Sequence, residues 1–149
     1  MSAVKPILGI IGGGQLGSML AAAAKKINIK TVIISDDVTA PAKNFCDKFI
    51  YAKYNDKNKI DEFIQDSNIV TFEFENIPIE TIKVIEEETL VRPNANALYI
   101  SQDRLREKQF LNENGIKTTN YAAVTEFSHL EENFQKFAQK AILKFSQFG

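Results

Sequence analysis

Short continuous apolar runs alternate along this chain with stretches in which apolar residues recur every three or four positions. Residues 6 to 11 (PILGII) read as a buried strand, and residues 15 to 27 as a helix whose small face (Ala21, Ala22, Ala23, Ala24) suits close packing on a sheet. A second strand is predicted over residues 30 to 35, a short helix from Ala42 after the loop DDVTAPA, and a third strand in KFIYAKY. Ile60, Phe63 and Ile64 fall at helical spacing within residues 59 to 65. NIVTFEFENIP predicts a fourth strand, Pro78 a helix first turn, where a missing N–H is tolerated, and LVRPN a fifth strand. Strands and helices in regular succession predict an α/β fold, a doubly wound parallel sheet over residues 1 to 95.

Beyond Arg92 the pattern changes. NANALYISQDRLREKQFLNENG is helical in one piece or two, closed by Gly115 after Asn114. A new unit follows, with extended TTNYAAV, a helix from Ser128 and a strand AILKF. Ser128 and Glu131 have capping-box spacing, and Phe127, Leu130, Phe134, Phe137, Ala138 and Ala141 form one apolar stripe. These few elements cannot close a core alone, so residues 96 to 149 are expected to hold linker helices and the incomplete start of a second domain.

Composition narrows the partners. A net charge of −1 with 44% hydrophobic and 25% charged residues gives no electrostatic reason to expect nucleic acid or an anionic membrane. No apolar run approaches the ~20 residues of a membrane span, and the glycine-interrupted N-terminal run reads as a strand rather than a signal peptide. The one cysteine, Cys46, reads as a buried inert thiol and fits a reducing cytoplasm. Glu86, Glu87 and Glu88 read as a solvated helix face, and His129, with no metal or nucleophile partner near in sequence, as exposed and structural.

Two stretches carry candidate chemistry. In GIIGGGQLGSM, Gly12, Gly14 and Gly17 satisfy G-x-G-x-x-G between a strand and a helix, and Asp36 and Asp37 follow about twenty residues on, where a dinucleotide fold places its ribose acid. The same spacing also serves tight helix-on-sheet packing. In VTFEFEN, alternation puts Thr71, Glu73 and Glu75 on one face, with the two carboxylates roughly 7 Å apart at the carboxyl end of a strand. Open α/β sheets bind ligands there, and such acids read as acceptors for a substrate amine or hydroxyl or, alternatively, as a solvated strand end. The charge-rich helix of SQDRLREKQFLNENGI reads as amphipathic surface. Lys144, in an apolar strand and facing the same way as Ile142, marks either an edge or a cation awaiting an anion.

Taken in order, GIIGGGQLGSML, DDVTAPA, VTFEFENIP, VRPN, QDRLREKQFLNENGI and AILKFSQFG resemble the 5-(carboxyamino)imidazole ribonucleotide synthase family of ATP-grasp enzymes over essentially the whole chain. The resemblance implies a Rossmann-like pre-ATP-grasp domain over residues 1 to 95 and then the start of an ATP-grasp domain. It implies ATP, bicarbonate and aminoimidazole ribonucleotide as small-molecule substrates, magnesium on the phosphates, and a homodimer in the full-length family. Carried onto this sequence, Gly14, Gln15, Leu16, Glu73, Glu75 and Asn76 look like substrate contacts, and Arg104 and Lys144 like ATP contacts. Those roles replace the surface readings of Arg104 and Lys144. Gln15 and FEFEN favour this family over the related formate-dependent transformylase, in which Glu is expected in the turn.

The resemblance also implies what is lacking. Where relatives continue FGYDGKG, this sequence has Phe148 and Gly149, so the glycine-rich phosphate loop, the magnesium ligands and part of the substrate site are expected to lie outside it. The chain alone is therefore expected to be an inactive portion of the ligase. A noncatalytic nucleotide-binding module and an NAD-binding domain are the alternatives.

Overall fold

The computed structural model describes residues 6–137 and 140–147. It divides into two compact units, the first ending at Tyr99 and the second beginning at Ile100.

In the first unit five parallel strands, β1 (Ile7–Ile11), β2 (Lys30–Ser35), β3 (Lys48–Tyr51), β4 (Ile69–Phe72) and β5 (Leu90–Val91), lie in the order β3-β2-β1-β4-β5. The helices are α1 (Gln15–Lys26), α2 (Lys57–Gln65) and α3 (Ile79–Glu88), with α4 (Ala95–Ser101) after β5 and a 3-10 turn at Pro41–Asn44. The pleat sends Ile10 and Ile33 toward Ala21 and Ala42, and sends Ile11, Ile34 and Val70 toward Phe63, Ile82 and Ile85. The sheet is thus covered on both faces, as its apolar runs predict. Strand order reverses between β1 and β4, which opens a crevice at their carboxyl ends.

Four sequence expectations about the first unit need correction. β4 stops at Phe72, the last residue paired with β1 (Ile11↔Phe72), because β1 itself ends where the chain turns at Gly12. Glu73 and Glu75 therefore share no strand face: Glu73 is half-buried and Glu75 exposed. Pro78 caps α3 from outside rather than opening its first turn. Glu86 is half-buried and accepts the Ala95 N–H at 2.8 Å, satisfying a donor at the start of α4, while Glu87 and Glu88 are exposed. Cys46 is only half-buried, and that desolvation raises its thiol pKa.

The second unit contains α5 (Arg104–Glu113) and α6 (Phe127–Lys136), so the long helical stretch resolves as separate helices. Asp103 caps α5 by accepting the Leu105 and Arg106 N–H groups at 2.9 and 3.0 Å. Gly115, at φ +76°, follows the end of α5 in the left-handed conformation. The capping box on α6 does not form: the N-cap is extended Glu126, which places Ser128 inside the first turn. His129 is occupied locally, by Thr125 at 3.0 Å and Glu126 at 3.1 Å. Residues 141–145 form no strand, since no described strand pairs with them, and Ile142 is 83% exposed. Ala138 of the apolar stripe, and Phe148 and Gly149, lie outside the described residues. No helix among the described residues is long and apolar enough to cross a membrane.

Candidate functional site

The site is built where β1 hands over to α1. Gly12 leaves the strand at φ +105°, a conformation that side chains resist, while its N–H still bonds to the Ile34 carbonyl at 2.9 Å. A Cβ on Gly17 would stand 2.7 Å from the Gly12 carbonyl oxygen, so the helix can fold back this closely only without one. The turn leaves N–H groups free at the start of α1. Glu73 takes two of them: Gly14 N–H donates to Oε1 at 2.5 Å and Gly17 N–H to Oε2 at 2.6 Å. Glu73 can reach because its own N–H still bonds to the Ile11 carbonyl at 3.1 Å, holding it beside the turn.

The loop after β2 braces the other side. Asp37 accepts the Thr39 N–H at 2.7 Å and its hydroxyl at 2.6 Å, bonds that hold the carboxyl below its usual range. Ala42 N–H then donates to the Gly13 carbonyl at 3.0 Å, and Ala40 is buried where any side chain on Gly13 would collide with it. Asp36 is exposed.

Tyr54 belongs to this cluster and is missed by sequence reasoning. It is buried, packs its ring 6.1 Å from that of Phe74, and has its backbone carbonyl held by the Thr81 hydroxyl at 2.6 Å. Desolvation, reinforced by the charges of Asp36 and Glu73, pushes its phenol up to about 12, against hydrogen bonds with Ser35 and Asp36. The phenol therefore stays protonated and available as a donor. In KFIYAKY nothing separates Tyr54 from Tyr51, which is exposed; burial alone distinguishes them.

Gly14, Gln15, Leu16 and Glu73 are brought together at the crevice, with Leu16 55% exposed and Gln15 also open to solvent. Glu75 and Asn76 follow in the exposed part of the same loop. Arg104 and Lys144 lie in the second unit. There the Arg104 N–H donates to the Ser146 carbonyl at 2.8 Å, and Gln147 donates to Asp103 at 3.2 Å, which draws the segment carrying Lys144 to the start of α5. Lys144 is exposed, and the Arg104 Nε is buried without an acceptor among the described residues. No group of three His, Cys, Asp or Glu among the described residues is placed to hold a metal ion.

Comparison with known proteins bears on this geometry. The chain is 40% identical over 142 residues to N5-carboxyaminoimidazole ribonucleotide synthase of Brucella melitensis, covering 95% of this chain and 39% of that enzyme's length. N5-carboxyaminoimidazole synthetase from Staphylococcus aureus, solved with ADP, superposes with a TM-score of 0.85 at 31% identity, over 100% of this chain and 41% of that one. A second ADP complex, of purK N5-carboxyaminoimidazole ribonucleotide synthetase, gives 0.90 at 30% identity, covering 98% and 39%. The family model described as the ribonucleotide synthetase preATP-grasp domain matches residues 5–102. That stretch contains every strand of the sheet, the glycine turn and Glu73, and the chain belongs to the ribonucleotide synthetase preATP-grasp domain family.

Proposed function

We propose that this chain supplies the ribonucleotide-binding unit of an N5-carboxyaminoimidazole ribonucleotide synthase of purine (IMP) synthesis. In that reaction ATP and bicarbonate give ADP and carboxyphosphate. The exocyclic amine of 5-aminoimidazole ribonucleotide then bonds to the carboxyl carbon and phosphate leaves. The observation that carries the reading is the joining of Glu73 to the Gly14–Gln15–Leu16 turn at the reversal of strand order. It occurs in a chain whose relatives bear that enzyme's name.

Gly14, Gln15 and Leu16 would line the substrate, with the Gln15 amide offering both donor and acceptor. Each Glu73 oxygen keeps a lone pair for a substrate amine or hydroxyl, and Glu75 and Asn76 flank it. Residues 96–149 would supply linker helices and the incomplete start of the ATP-grasp domain, with Lys144 and Arg104 contacting ATP; the unpartnered Arg104 Nε fits an anionic acceptor. Magnesium would supply charge neutralisation on the phosphates in such a transfer. The enzyme would work in the cytoplasm, as a homodimer in its full-length form.

Calorimetric titration of the chain with 5-aminoimidazole ribonucleotide tests this. Saturable one-to-one binding is expected, weakened about tenfold by Gln15→Ala for one lost hydrogen bond. No ADP should form in response to bicarbonate and the ribonucleotide, because the chain spans 39% of the Brucella enzyme's length. Absence of ribonucleotide binding, or turnover by the chain alone, would contradict the proposal.

A further inference from the structure

Amides at the start of a helix commonly receive a phosphate, and a glycine turn before α1 invites that reading. Here the place is filled from within. The Glu73 carboxylate bridges the Gly14 and Gly17 amides, and negative charge is favoured at that end of a helix. The surroundings are shaped to it: a Cβ on Gly12 would lie 2.5 Å from Glu73 Cγ, and one on Gly14 would lie 2.8 Å from Oε1. Because Glu73 directly follows the last β1–β4 pair, the sheet itself sets its reach.

We infer that Glu73 is a selectivity and positioning residue, a built-in anion that holds the glycine turn in shape and keeps phosphate groups out of it. A free phosphate or the pyrophosphate of a dinucleotide would have to displace a carboxylate from its two donors or sit beside a like charge, and both are unfavourable. A nucleotide bound here therefore turns amines or hydroxyls toward the turn and carries its phosphate elsewhere. The turn-holding and phosphate-excluding role rests on the turn's geometry alone; how a nucleotide lies on the turn rests on the proposed function.

The test compares the 149-residue chain with Glu73→Ala and Glu73→Gln, following thermal midpoint and ligand binding at fixed ionic strength. Glu73→Ala is expected to lower the midpoint by roughly 5–10 °C, the loss of charge-assisted hydrogen bonds in a small unit. Sodium acetate should restore part of that loss in proportion to its concentration, and inorganic phosphate should bind the variant at least about tenfold more tightly than the parent chain. Glu73→Gln keeps the shape but meets one amide with an NH2 group, so its midpoint should fall without recovery in acetate. If Glu73→Ala does not fold, refolding in acetate replaces the melt, and recovery of folded protein is the expected result. A Glu73→Ala chain indifferent to acetate, phosphate binding equal to the parent's, a Glu73→Gln midpoint equal to the parent's, or no recovery on refolding in acetate would each overturn the inference.

Discussion

Helices α1 and α6 both carry regular apolar stripes, yet they end differently. α1 buries Gly17, Ala21 and Ala24 against a sheet that supplies Ile10 and Ile33. α6 buries no residue, leaving Phe127 72% and Phe134 41% exposed, and α5 buries none either. The stripe alone does not make a core; a facing apolar layer must exist, because the stabilisation comes from area removed from water. The first unit holds such layers on both sheet faces, and its glycine turn is correspondingly fixed in shape.

Core truncation should separate the two regions most widely. Phe63→Ala, at a fully buried position, is expected to cost about 3–5 kcal/mol in urea unfolding, against under about 1 kcal/mol for Phe134→Ala. Comparable losses at the two sites would break the comparison. High pH comes next. The Tyr54 proton is held to about 12 in the folded chain against an ordinary 10.0, so its contribution is complete below pH 10 and is lost as pH rises toward 12. A decline on the order of 2–3 kcal/mol across that window, absent in Tyr54→Phe, is expected in pH-dependent unfolding.

Gly17→Ala should cost about 1–3 kcal/mol in unfolding free energy, since the added methyl meets the Gly12 carbonyl, a backbone atom that cannot step aside. Glu86→Ala removes the acceptor for the Ala95 N–H and should cost about 1 kcal/mol by the same measurement. At the surface, Lys48 and Lys59 draw the Glu62 carboxyl down to about 2. The Glu62 contribution is therefore present above the ordinary carboxylate range near 4.5 and is lost as pH falls toward 2. This exposed network should give the smallest effect, visible as a small acid-limb shift that disappears in high salt.

How far the sequence could be read follows the same division. β2 begins and ends at Lys30 and Ser35 as the apolar run predicts, because both faces of that strand are buried. FEFEN misleads, since alternation continues past the point where β1 stops offering a ladder, and periodicity carries no information about the partner strand. Residues 141–145 look like a strand for the same reason, with no pairing partner among the described residues. At the site, the glycines and Glu73 are visible as residues of interest, but their hydrogen bonds span 59 and 56 positions of sequence. Tyr54 becomes recognisable only once its burial is known.

Residue-resolved amide hydrogen exchange on the intact chain tests this account most directly, because it reports both the contrast between the units and the bonds to Glu73. Gly14 and Gly17 should exchange as slowly as the amides of β1, with slow exchange extending through α4 and fast exchange in α5 and α6. Fast exchange at Gly14 and Gly17, or protection in α6 equal to that in β1, would contradict it.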